Sequence, residues 1–145
     1  MTMVNFLVRI MRSILVSCQL KCEHQGLHAT VLDLDIQIVD GVFIYKLFDK
    51  RDGFPFSIVR MPDLSGNIPS FIFYGSIMSE FLRIARCTRQ IEDFIPRAKS
   101  LCERMVSQGG SRYTVLKQIQ KAMLRHPIPF QKFSLPTSEI IRLLS

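Results

Sequence analysis

The chain has 145 residues, 48% of them hydrophobic and 21% charged, with a formal net charge of +7. That length suits one modest core and excludes two ordinary domains, and the balance of apolar and charged residues excludes a disordered or low-complexity chain. The 7 Gly and 7 Pro fall at element boundaries rather than in a linker, and no solenoid-length repeat is apparent.

Residues 3 to 20 form a strongly apolar run that Arg9 and Arg12 interrupt before the roughly 20 residues needed to span a bilayer. The run reads as a core helix or strand. A targeting peptide or membrane-surface anchor is the alternative, since the run is basic and holds no acidic residue before Glu23. Cys18, Cys22, Cys87 and Cys102 do not have the spacing of a disulfide framework, so the chain is expected to be intracellular and reduced, in cytoplasm or nucleus. Cys18, Cys22, His24 and His28 are ligand types that zinc accepts, but the Cys and His pairs stand too close together for a finger. No metal and no cofactor are assigned.

Leu32, Leu34, Ile36 and Ile38 alternate with Asp33, Asp35 and Gln37, which predicts a half-buried strand with four apolar side chains on one face. Asp33 and Asp35 then share the opposite, solvated face. Asp40-Gly41 accommodates the positive φ angles of a type I′ turn, so Val42 to Phe48 is expected to return as the antiparallel partner. Asp49-Lys50-Arg51-Asp52-Gly53 reads as a charged loop in which Lys50 and Arg51 are candidate phosphate contacts. Phe54-Pro55-Phe56 and Ile58-Val59 read as a short extended piece with buried aromatics, and Pro62, Gly66 and Pro69 interrupt regular structure after it.

Helical spacing begins near Tyr74, where Ile77, Phe81, Ile84 and Ala85 form an inward stripe and Arg83 and Arg86 project elsewhere. A second helix is expected over 91–107, with Phe94, Ala98, Leu101 and Met105 inward; Pro96 fits a first turn better than an interior, which would move the start towards Ile95. Gly109-Gly110 supplies the stop. Ser111 is the expected cap of a third helix on which Val115, Leu116, Ile119, Ala122 and Met123 cluster, with Lys117, Lys121 and Arg125 in an i, i+4, i+8 row nearly opposite. Pro127 and Pro129 end it, and Thr137-Ser138-Glu139 opens a short apolar helix. Residues 81 to 126 hold ten Lys or Arg against three acidic residues, so the whole positive excess lies in the helical part. One-sided charge of this kind fits a polyanion, because each neutralised phosphate releases condensed counterions.

Val31-Leu32-Asp33-Leu34-Asp35-Ile36, Phe48-Asp49-Lys50-Arg51-Asp52 with Phe54 and Phe56, Asn67-Ile68-Pro69, Tyr74-Gly75, Ser79, Arg83 and Arg86 occur in an order that resembles the segment following the catalytic palm in reverse transcriptase-like proteins of animal mobile elements. The resemblance covers roughly residues 30 to 125. It implies a thumb-like, helix-turn-helix nucleic-acid-binding piece, with the hairpin in a primer-grip role. The family's Tyr-x-Asp-Asp turn, which helps to hold two catalytic metal ions, does not occur in this sequence, so no enzyme activity is expected. Gly53 stands where the family commonly has a second acidic residue, a departure that leaves Lys50 and Arg51 intact.

The expectation is therefore an α+β fold, a β-hairpin followed by a basic three-helix (helix-turn-helix-like) bundle. Residues 1–28 are an apolar segment and candidate palm remnant, 29–72 the hairpin and Pro-rich crossing, 73–126 the thumb-like bundle, and 127–145 a tail. Lys50, Arg51, Arg83, Arg86, Arg112, Lys117, Lys121 and Arg125 are the candidate phosphate contacts, for DNA, RNA or a hybrid duplex. The competing readings are an interaction remnant that docks on a palm domain or another chain and, ranked last, a basic membrane-surface protein.

Overall fold

The structure is a computed structural model that describes residues 26–56, 58 and 61–145. The apolar opening run and Cys18, Cys22 and His24 lie outside the described residues. The fold is α+β: a three-stranded antiparallel sheet, order β1-β2-β3, precedes a helical bundle. The strands are β1 His28–Val31, β2 Leu34–Val39 and β3 Val42–Leu47.

The Asp40-Gly41 turn is as expected, with φ of 50° and 76°, the left-handed pair that a two-residue hairpin turn requires. The start of the first predicted strand is not. Leu32 has φ of 53° and is 87% exposed, because Leu32-Asp33 is itself a tight turn joining β1 to β2. Leu32 therefore leaves the apolar face assigned to it, and Asp33 no longer shares a strand face with Asp35. The missed strand carries its own alternation, His28 and Thr30 against Ala29 and Val31, and Val31 pairs Leu34.

A 3-10 turn, Lys50–Gly53, follows β3, and Asp49 caps it by accepting from the Arg51 backbone N–H at 3.1 Å. Phe54 and Phe56 were expected to be buried. Both are exposed, leaning on each other with ring centroids 5.4 Å apart.

The principal helices are α1 Ser70–Arg86, α2 Ile91–Ser107 and α3 Arg112–Arg125. Helix α1 starts a turn earlier than predicted because Phe73 is fully buried and meets Tyr74 edge to face, which outweighs the weak helix propensity of Gly75. Helix α2 keeps Pro96 inside it. The Phe94 N–H bonds the Gln90 carbonyl at 3.1 Å, so the turn before the proline is formed, and burial of Phe94 holds it there. Its C-terminus closes in the two-bond pattern of a Schellman motif: Gly110 N–H to Met105 carbonyl at 2.9 Å and Gly109 N–H to Val106 carbonyl at 3.1 Å, with Gly109 at φ 90°. Ser111 begins α3 but makes no side-chain capping bond, contrary to expectation.

The chain after residue 126 belongs to the core rather than to a loose tail. Helix α4, Ile128–Gln131, packs on α1, and α5, Thr137–Leu144, packs on both α2 and α3. Phe130, Phe133, Ile140 and Leu144 are buried. Phe94 lies at the centre of an aromatic cluster, with ring centroids 5.5 Å from Phe81, 6.1 Å from Phe130 and 4.6 Å from Phe133. Such pairs stabilise by about 0.5–1.5 kcal/mol each beyond their burial.

The sheet joins this bundle at one end. Leu47 is buried, the Arg89 N–H bonds the Tyr45 carbonyl at 2.8 Å, and the Arg89 guanidinium bonds the Phe43 carbonyl at 2.7 Å, which caps part of the β3 edge. Lys132 lies over the Tyr45 ring at 5.5 Å. Register puts Val31, Leu34, Ile36, Ile38, Phe43, Tyr45 and Leu47 on one face. Away from Leu47 that face opens: Phe43 is 60% exposed, and Val31 and neighbouring Leu27 are exposed as well.

Candidate nucleic-acid interface

The eight candidate cations fall into distinct settings. Lys50, Arg51 and Arg83 come together, lining a concavity of about 460 Å³ with Leu32, Asp33, Phe48 and Asp49. Distant parts of the sequence meet there because the Leu32-Asp33 turn faces the last turns of α1. Two of the three cations are already engaged. Arg83 bonds both carboxylate oxygens of buried Glu80, at 3.0 and 2.8 Å, and reaches Asp33 at 2.8 Å. Arg51 grips Asp49 through two side-chain bonds, one of them 2.7 Å from Nε.

Their titration follows from these pairs. The Arg51 hydrogen bond holds the Asp49 carboxyl down at about 2 against the opposing effect of burial, and Asp49 in turn raises Arg51. Glu80 raises Arg83. With Asp33, Asp49 and Glu80 beside three cations, the concavity is close to charge-balanced. A phosphate entering it must compete with carboxylates already in place, so its field is that of a structural latch between sheet and α1, with Lys50 as the exposed cation at its rim.

Helix α3 is different. Its sequence, RYTVLKQIQKAMLR, contains no acidic residue. Val115, Ile119, Ala122 and Met123 are buried against the other helices, which fixes the rotation of α3 and leaves Lys117, Lys121 and Arg125 exposed as one stripe. Each step of four residues advances the stripe by about 6 Å and turns it by about 40°. None of the three has a carboxylate partner among the described residues. Among the described residues, these three cations thus present unneutralised charge to solvent.

Arg112, at the start of α3, is turned to the carboxy-terminal residues: its guanidinium bonds the Leu144 carbonyl at 3.4 Å and also the Ser145 carbonyl. Arg86 is exposed at the C-terminal end of α1. Sequence reasoning did not single out Tyr113, which stands four residues before Lys117, is 73% exposed and has the Lys117 ammonium 5.7 Å from its ring centre. Its place one step up the same i, i+4 row was the available signal.

Among the described residues, no three His, Cys, Asp or Glu are grouped to hold a metal ion, and no helix is long and apolar enough to cross a membrane. Asp33 is taken by Arg83, whereas Asp35, on β2, contacts His28 and Lys46. Cys102 is buried and its thiol is pushed up to about 11 by desolvation, away from nucleophilic use at neutral pH. Comparison of the chain with protein-family models, with curated proteins and with solved structures gives no match.

Proposed function

We propose that this chain is a nucleic-acid-binding module of thumb or helix-turn-helix type, corresponding to the segment that follows the catalytic palm in retroelement reverse transcriptases. The observation that carries the reading is the acid-free stripe of Lys117, Lys121 and Arg125 on the solvent side of α3. Its three charges bind successive phosphates of DNA, RNA or a hybrid, and the packed apolar side of the helix keeps them oriented. Lys50 and Arg86 are further exposed contacts. Arg51, Arg83 and Arg112 serve mainly by holding the scaffold through the pairs they make. Contacts of this kind position a strand without reading its bases. The compartment is that of the nucleic acid, cytoplasm or nucleus.

The test is a fluorescence-anisotropy titration of a labelled oligonucleotide at two salt concentrations. The three α3 phosphates alone are expected to lower affinity roughly 20- to 40-fold between about 50 and 200 mM salt, and the further contacts to add to that fall. Affinity that is the same at both would remove the electrostatic basis of the proposal.

A second reading, that the sheet docks on another protein surface, is favoured by one observation: the outer part of its apolar face, with Leu27, Val31 and Phe43, is open. Exposed apolar patches of this kind are typical of interaction sites. Under that reading the chain self-associates with rising concentration in sedimentation velocity, and Phe43→Lys abolishes the association without loss of helicity. A wild-type chain that stays monomeric throughout removes self-docking of the sheet.

A further inference from the structure

The α3 row does not begin with a cation. Tyr113, Lys117, Lys121 and Arg125 stand at i, i+4, i+8 and i+12, so one exposed aromatic ring heads a stripe of three cations. Tyr113 does not account for itself as a packing residue: it is 73% exposed, and the buried side of the helix is complete without it. Its ring is nevertheless oriented, because the Lys117 ammonium sits 5.7 Å from the centroid. An exposed, oriented aromatic costs little conformational freedom when a flat ligand stacks on it.

A phosphate track and an aromatic platform suit different nucleic acids. In a duplex the bases are stacked on one another inside the helix, and a side chain in contact with the phosphates of one strand meets no free base face. In an unpaired strand every base has an open π face, and proteins that hold single strands combine a cationic track with aromatic rings on which bases stack. We infer that the α3 site takes a single-stranded segment of DNA or RNA, with one unpaired base stacked on Tyr113 and the phosphates that follow it on Lys117, Lys121 and Arg125. The inference rests on the phosphate-binding reading of α3 and adds to it the state of the strand.

The experiment uses the full chain and three labelled ligands of equal length, measured by anisotropy at one salt concentration: an oligothymidine strand, a blunt duplex, and a strand of abasic residues. The single strand is expected to bind more tightly than the duplex. Tyr113→Ala should weaken the oligothymidine complex roughly tenfold or more and leave the abasic and duplex complexes unchanged, while Tyr113→Phe keeps the wild-type affinity. Equal weakening of all three by Tyr113→Ala, or no effect on any, overturns the inference. If the Lys117→Gln, Lys121→Gln, Arg125→Gln variant loses every ligand while Tyr113→Ala loses none, the phosphate reading stands and the stacking fails. If the wild-type chain binds none of the three, both fail together.

Discussion

Replacement of Lys117, Lys121 and Arg125 together by Gln is expected to lower the affinity for an oligonucleotide at least tenfold at about 50 mM salt, with no loss of helical structure. The fold should survive because all three side chains are exposed and make no ion pair with a described carboxylate. Gln has nearly the helix propensity of Lys and Arg. Among the described residues, only the contact of Lys117 with Tyr113 is lost, worth about 0.5–1 kcal/mol at an exposed site. Neutralising Arg83 is not an equivalent experiment, since it removes two hydrogen bonds from buried Glu80 and unfastens Asp33 from α1. An affinity drop after that change would mix binding with folding. Undiminished binding by the triple variant, with helicity retained, would move the interface away from α3.

The second large effect concerns the core. Phe94→Ala should destabilise the chain by about 3–5 kcal/mol, measured from the urea midpoint at constant m. That is a substantial part of the total of about 5–15 kcal/mol usual for a domain. Phe94 is fully buried and touches rings from three other segments, Phe81 of α1, Phe130 of α4 and Phe133 just beyond it. Truncation leaves a cavity between α2 and the segment after residue 126, so the loss includes the anchoring of α4 as well as the transfer of one ring. A change below about 1 kcal/mol would mean that this segment is not docked as described.

The sequence carried these packing faces openly wherever a single period ran uninterrupted. Ile77, Phe81, Ile84 and Ala85, then Phe94, Ala98, Leu101 and Met105, are buried as their spacing implied. Asp40-Gly41 announced its turn because few dipeptides accept two successive positive φ angles. The Leu32-Asp33 turn was illegible for the converse reason. A leucine at φ 53° is locally unfavourable, and only the pairing of β1 with β2 compensates for it, so the apolar alternation ran straight through the turn. The role of residues 127–145 was hidden by Pro127 and Pro129, which break helix but do not prevent Phe130 and Phe133 from reaching the core. At the candidate site, the α3 stripe followed from 3.6-residue geometry alone. The contact of Arg83 with Asp33 did not, because the two lie fifty residues apart and only tertiary structure joins them, whereas the Arg51–Asp49 and Arg83–Glu80 pairs are local in sequence.

The measurement closest to the central claim is the slope of log affinity against log salt, determined side by side for the wild-type chain and the Lys117→Gln, Lys121→Gln, Arg125→Gln variant. If the α3 stripe holds three phosphates, the slope should be shallower in the variant by about 2 to 3. An identical slope in the two proteins would contradict it.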